Sequence, residues 1–210
     1  MEAVGWWLLA FGAGALPFSV WLGRWALHKD IRAFGDHNPG AANVFRAGGR
    51  AWAVLAVILD FLKGAVPVGL ANYVGGMMGW GLVAVALAPV LGHAYSPFLR
   101  LRGGKALAVT FGIWCGLTVW LGPTVLGIAL GAWLAILAVP GWAVLAGMLT
   151  LGAVLLIAEP AWVLLAVWVG NTAILLWKHR ANLAQPPQPG KSLVKSLLDA
   201  RAAPKGNRGP

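Results

Sequence analysis

Charge is what this chain lacks most. Only 10% of its 210 residues are charged, and just six are acidic. Soluble domains usually carry about 25% charged residues. With 60% hydrophobic residues and 13 tryptophans, and a mean hydropathy of +0.76, the chain cannot cover a water-facing surface. A soluble globular enzyme, a nucleic-acid module and a disordered protein are therefore excluded as readings of the whole. The single cysteine, Cys115, forbids an internal disulfide and leaves the redox compartment unreadable. The four histidines are scattered and no carboxylates pair closely, so no metal site and no cofactor is expected. Residues 106–158 contain no ionisable side chain besides Cys115, which argues against a proton or ion pathway. What survives is one all-α integral membrane helix bundle.

Apolar runs predict seven spans near 5–27, 51–72, 78–99, 106–122, 123–139, 142–158 and 160–178. The net charge of +10 falls at their ends. Arg24, Lys29, Arg32, Arg46 and Arg50 frame the first polar loop; Arg100, Arg102 and Lys105 form the second. Seven more basic residues fill the C-terminal region from Lys178 onward. Seven spans place these fifteen of the sixteen basic residues on one face, and Glu2 and Glu159 on the other. The positive-inside bias makes the basic face cytoplasmic, with the N-terminus outside and the C-terminus cytoplasmic. That bias also accounts for the basic charge without a nucleic-acid partner. The N-terminus lacks the positive start of a secretory signal and reads as a retained first span. Gly122-Pro123 and Pro140-Gly141 read as tight turns, with a broken or re-entrant helix as the alternative. Tryptophans at both boundaries, among them Trp80, Trp162, Trp25 and Trp177, read as interfacial anchors. Residues 1–184 form the membrane domain; 185–210, opening with Gln185-Pro186-Pro187, read as a basic disordered tail drawn to anionic lipid.

Three polar stretches could carry chemistry. In Gly35-Asp36-His37-Asn38-Pro39-Gly40-Ala41-Ala42-Asn43-Val44-Phe45-Arg46, the Pro-Gly pair favours a turn. Its small residues let backbone N–H groups approach an anion, and Arg46 follows at a helix start, suited to bidentate phosphate binding. An ordinary polar loop is the competing reading. The second stretch, Gly92-His93 and then Arg100-Leu101-Arg102-Gly103-Gly104-Lys105, has two glycines and a lysine before a helix, the physics of a phosphate site without a Walker spacing. The third, Asp60-Phe61-Leu62-Lys63-Gly64, reads as an ion pair holding helices together, because charges in a bilayer are costly unless paired.

Six motifs in order resemble the PlsY-type glycerol-3-phosphate acyltransferases of bacteria: Gly14-Ala15-Leu16-Pro17-Phe18, Gly35-x-x-Asn38-x-Gly40-x-x-Asn43-Val44-x-Arg46, Asp60-x-x-Lys63-Gly64, Gly92-His93, Gly103-Gly104-Lys105 and His179-Arg180-x-Asn182. The resemblance covers about residues 10–183. It implies a bacterial plasma-membrane enzyme with its active site facing the cytoplasm. The reaction it implies transfers an acyl group from acyl phosphate to the 1-hydroxyl of glycerol 3-phosphate, giving lysophosphatidic acid without metal or acyl-CoA. On this reading Arg46 and Lys105 bind phosphate, Gly103 and Gly104 offer backbone donors, and Gly35, Asn38, Gly40 and Asn43 shape the loop. His179 contacts substrate beside Asn182, and His93 and Lys63 support the site from behind.

The chain departs from that pattern. Gly35-Asp36-His37-Asn38 stands where the family usually reads Gly-Ser-Gly-Asn. Ala42 replaces a usual threonine, Ser96 a proline and Ala106 a glycine. A carboxylate about 4 Å from a phosphate repels it by roughly 4 kcal/mol at an effective dielectric near 20. Asp36 therefore either turns outward to pair with Arg32 or His37, or faces the site as a general base. The second case predicts a divergent paralogue acylating a different small alcohol. A transporter or non-enzymatic membrane subunit on the same scaffold is the alternative from another class.

Overall fold

The computed structural model describes residues 2–190, and its described residues are helical but for loops and one isolated bridge between Leu137 and Pro189. The first apolar run is not one helix. It divides into α1 (Glu2–Ala15) and α2 (Phe18–Ala26) at Leu16-Pro17, because proline lacks the N–H that would continue the helical ladder. The loop that follows holds a 3-10 turn at Ile31–Ala33 and the short α3 (Ala41–Arg46). Next come α4 (Arg50–Gly69), which ends in a π turn at Leu70–Val74, and α5 (Gly79–Ala94). The remainder is α6 (Leu107–Thr118), α7 (Leu121–Ile136), α8 (Pro140–Ala158) and α9 (Trp162–Leu183).

Among the described residues, four stretches are long and apolar enough to cross a membrane: Glu2–Ala26, Arg50–Val74, Gly79–Leu99 and Pro140–Ala158. α6 and α7 are apolar but shorter, at 12 and 16 residues. The turn expected at Gly122-Pro123 lies instead at Val119-Trp120. Gly122 and Pro123 belong to the first turn of α7, where a missing N–H costs nothing. Thr118 Oγ1 there accepts the Gly122 N–H at 2.9 Å. Pro140 opens α8 for the same reason, and α9 runs past the expected limit of 178 to Leu183.

The helices alternate between two ends of the bundle. At one end Asn72 and Tyr73 bond to carbonyls of Gly116 and Leu117, and a cleft of about 410 Å³ joins Tyr73, Thr118, Trp120 and Glu159. At the other, Gly190 N–H donates to Ile136 at 2.7 Å and Ala138 N–H to Gln188 at 2.9 Å. Trp142 Nε1 donates to the Gln185 carbonyl there as well. Residues 185–190, expected as the start of a disordered tail, are thus bonded to the chain just beyond α7; the rest of that expected tail, 191–210, lies outside the described residues.

Close packing rests on small residues. A Cβ on Gly14 would strike the backbone of Pro89, one on Gly92 that of Phe11, and one on Gly112 that of Phe61. Such contacts let helices approach where no hydrophobic effect drives them together. Asn171 adds polar glue inside the bundle, accepting from Trp114 Nε1 at 3.1 Å and donating to Thr110 at 3.0 Å. Exposed Trp80 and Trp162, with ring centroids 5.0 Å apart, mark one rim; exposed Trp25 and Trp177 lie toward the other.

Candidate functional site

Three segments meet at the end that carries the first polar loop. Asp36 comes from that loop, Lys105 from the turn before α6, and Asn182 from the last turn of α9. Lys105 Nζ donates to Asp36 Oδ2 at 2.8 Å and to Asn182 Oδ1 at 3.0 Å. Arg46 Nη1 lies 3.8 Å from Asp36 Oδ1 and donates to Asn43 Oδ1 at 2.7 Å. Arg46 and Lys105 are far apart in sequence, yet they share one carboxylate.

The loop builds this arrangement from its own backbone. Gly35 sits at φ +56°, and a Cβ there would press on Asn43 and the Arg46 side chain, so both conformation and space call for glycine. Asn43 is buried and ties the loop together, donating to the Asn38 carbonyl at 2.8 Å and to Asp36 Oδ1 at 3.1 Å. Gly40 N–H donates to the Asn38 carbonyl at 2.8 Å, and a Cβ on Gly40 would push against the Asn38 amide. Asn38 N–H closes the loop on Asp36 Oδ1 at 3.3 Å.

Asp36 follows neither direction in which it could have avoided the cations. Arg32 pairs with Asp30, its Nη2 2.6 Å from the carboxylate, and His37 Nδ1 lies 2.8 Å from the Arg32 carbonyl. Asp36 points to Lys105 instead. Partial burial works to raise its pKa, but the hydrogen bond and charge of Lys105, with help from Asn38 and Asn43, hold it below the usual carboxylate value. A carboxylate so held is ionised at neutral pH and weakly basic, a poor general base while Lys105 stays on it. Asp30 is also held below the usual carboxylate value, at about 2, chiefly by its hydrogen bonds to Arg32.

Gly103 and Gly104 allow a close approach of the turn to α5. Gly104 N–H is spent on the His93 carbonyl at 3.0 Å. The Gly103 carbonyl accepts from Lys178 Nζ at 3.0 Å, which also donates to the Ala94 carbonyl at 2.9 Å. A Cβ on either glycine would collide with His93 or Ala94. The diglycine therefore packs the turn onto the end of α5 and so fixes the origin of Lys105. Lys178 was legible only as one more basic residue at a span end, since nothing in sequence pairs it with carbonyls so far upstream.

Lys63 and His93 lie apart from the shared carboxylate. Lys63 Nζ sits 2.7 Å from Asp60 Oδ1 and donates to the Leu16 carbonyl at 2.9 Å, an acceptor left open by the break at Pro17. Ser19 donates to Asp60 at 3.1 Å, and His93 Nδ1 is 3.9 Å from the same carboxylate, too far for a hydrogen bond. This buried group borders a small cavity that also touches Pro39 and Gly104, so it underlies both loops. Ser19 was not marked by the sequence; a lone serine in an apolar run carries no signal.

His179 is buried in α9, one turn before Asn182, with Nδ1 2.8 Å from the Leu175 carbonyl. Arg180 turns outward, its guanidinium 4.7 Å from the Trp177 ring. Gly141 at the start of α8 admits Asn182, whose Cβ a side chain at 141 would crowd. Among the described residues no three His, Cys, Asp or Glu side chains gather where a metal could sit. Chemically, the cluster gathers two cations, Arg46 and Lys105, and two amides, Asn43 and Asn182, around the chain's own carboxylate.

A family model described as glycerol-3-phosphate acyltransferase matches residues 4–186. Glycerol-3-phosphate acyltransferase 1 of Deinococcus radiodurans is 37% identical over 176 residues, covering 84% of this chain and 87% of that protein. The glycerol-3-phosphate acyltransferase of Rubrobacter xylanophilus is 40% identical over 179 residues, 83% of this chain and 86% of its own. Among solved structures, PlsY (YgiH), an integral membrane glycerol 3-phosphate acyltransferase in its glycerol 3-phosphate form, aligns with a TM-score of 0.80 at 27% identity, covering 96% of this chain and 94% of that one. Its lysophosphatidic acid form aligns with a TM-score of 0.77. This chain belongs to the glycerol-3-phosphate acyltransferase family.

Proposed function

We propose that the protein transfers a fatty acyl group from acyl phosphate to the 1-hydroxyl of glycerol 3-phosphate, releasing lysophosphatidic acid and inorganic phosphate. One observation carries the reading: Arg46 and Lys105 converge on a single carboxylate beside Asn43 and Asn182. Asp36 stands where a substrate phosphate would sit, and the phosphate must displace it from Lys105. The hydroxyl oxygen then forms a bond to the acyl carbon, the acyl carbon–oxygen bond to phosphate breaks, and the departing phosphate leaves with the hydroxyl proton in the net balance. An acyl phosphate is already activated, so positioning and charge stabilisation by Arg46 and Lys105 supply the rate without a protein nucleophile. His179 and Asn182 hold the acceptor side, Gly35, Asn38, Gly40 and Asn43 keep the loop in register, and Lys63 and His93 support it from beneath.

Seven crossings of the bacterial inner membrane, with this end facing the cytoplasm, complete the proposal. The clustering of basic side chains at this end supports it. Membership of the family favours acyl transfer over transport or a purely structural role, and glycerol 3-phosphate over another alcohol as acceptor. The test is to supply purified protein with acyl phosphate and glycerol 3-phosphate and to measure lysophosphatidic acid. Turnover is expected, with a loss of roughly a hundredfold or more in Lys105→Ala and Arg46→Ala. Wild-type protein that makes no lysophosphatidic acid, or variants that keep full activity, would overturn it.

A further inference from the structure

A second cationic hollow, of about 1010 Å³, lies between α2, the loop after it and the turn before Gly103. Arg24, Arg32, Arg100 and Arg102 line it, with Trp21 and Phe98. None of Arg46, Lys105 and Asn182 borders it. Its volume is at the upper end of pockets that hold a small organic ligand, about 300–1,000 Å³.

Its charge is only partly met from within. Among the described residues Asp30 is the one carboxylate on its wall, and it is engaged by Arg32 at 2.6 Å while standing 3.8 Å from Arg24. Arg100 and Arg102 make no ion pair and no side-chain hydrogen bond among the described residues. The backbone carries both on an unusual turn, with Arg100 at φ 52° and Leu101 at φ 62°, a conformation that side chains seldom adopt. Four guanidiniums against one carboxylate call for an anion.

The hollow's rim says which kind. Trp21 stacks on exposed Trp25 at 5.6 Å and meets exposed Phe98 edge-on at 6.4 Å. Leu101, between the two arginines, is 61% exposed. A site for a soluble phosphate has no use for such an apolar margin, whereas aromatic side chains beside basic ones are what a lipid headgroup region meets.

We propose that this arginine hollow binds an anionic phospholipid of the surrounding bilayer, its phosphate against Arg24, Arg100 and Arg102 and its chains along Trp21 and Phe98. The site is separate from the shared carboxylate and stands whether or not acyl transfer is the activity. It shares one wall with the other site, because His37 lines the hollow while its neighbour Asp36 faces Lys105. A bound headgroup therefore braces the loop that carries the anion site.

The test is native mass spectrometry of the full chain from detergent with phosphatidylglycerol or phosphatidylcholine added. Wild-type protein is expected to retain phosphatidylglycerol in preference to phosphatidylcholine. Arg100→Ala/Arg102→Ala, and separately Arg24→Gln, are expected to lower that retention, by roughly tenfold for the pair. A thermal transition matching wild type shows that a variant is folded, and Arg24→Gln carries the test if the double variant is not. Arg46→Ala/Lys105→Ala is expected to retain the lipid as wild type does. Equal retention in the hollow variants and wild type, equal retention of both lipids, loss of retention only in Arg46→Ala/Lys105→Ala, or displacement by glycerol 3-phosphate would each overturn the proposal.

Discussion

Asp36 sets the character of the proposed anion site at the scale of a single side chain. Its carboxylate offsets one of the two positive charges that a substrate phosphate would otherwise meet, and it holds Lys105 at 2.8 Å. Asp36→Ser removes that competitor while leaving Arg46 and Asn43 in place. Because the group is 41% exposed, solvent screens much of the repulsion, and a gain of about 1–1.5 kcal/mol in phosphate binding is the appropriate scale. The expected outcome is a KM for glycerol 3-phosphate lowered roughly tenfold with little change in kcat. A raised KM would mean that Asp36 helps hold the acceptor instead. Two neighbouring departures from the family pattern share a backbone cause. His37 and Ala106, each where a glycine is usual, sit at φ 58° and 60°. The left-handed region costs a side chain about 1–2 kcal/mol, against about 0.5–1 kcal/mol for the extra freedom of an unfolded glycine. His37 is exposed, so His37→Gly is expected to stabilise by about 0.5–1 kcal/mol. Ala106 is buried, and losing its methyl costs about 0.8 kcal/mol, so Ala106→Gly should be close to neutral. Chemical denaturation of both variants in mixed micelles checks the contrast.

Helix packing decides which residues the sequence could identify. Arg46, Asn43 and Lys105 were legible because cations and amides beside glycines are rare in a chain with so few charges, and the structure brings them together. One partner of Lys63 was not legible, since the Leu16 carbonyl it bonds is left open by the break at Pro17. The close packing of Gly103-Gly104 was hidden for a related reason: sequence shows that two glycines are present, but not that the Gly104 N–H is taken by the His93 carbonyl. The helix breaks were legible only to within a few residues, because Gly122-Pro123 fits the first turn of a helix as well as a loop. The same limit hid Asn171, an amide in an apolar run that joins α9 to α6. It is fully buried, and Asn171→Leu leaves Trp114 Nε1 without its acceptor. The expected loss is about 1–2 kcal/mol in unfolding from mixed micelles. An unchanged midpoint would show that these bonds add nothing to the association of the two helices.

The direction of each helix through the bilayer is a property of the whole chain, and α6 is its critical element. At 12 residues it spans about 18 Å, against a hydrocarbon core of about 30 Å. Its far end is nevertheless level with the end of a stretch long enough to cross, because Asn72 and Tyr73 bond to Gly116 and Leu117. Its near end begins where Gly104 packs on His93 and the cavity beside Asp60 and Lys63 reaches the loop. The missing length therefore falls to residues 100–106, the turn that carries Lys105. The proposed seven crossings would put Val119 and Glu159 outside and Ala42 and Ala138 in the cytoplasm, and all four positions are exposed. In a Cys115→Ala background, Val119→Cys and Glu159→Cys should react with an impermeant maleimide on intact cells. Ala42→Cys and Ala138→Cys should react only after permeabilisation. A silent Val119→Cys would turn α6 and α7 into a re-entrant hairpin that never reaches the outer surface. Labelling of Ala138→Cys from outside would reverse the orientation read from the basic residues, and would place the shared carboxylate on the wrong side for a phosphate substrate made in the cell.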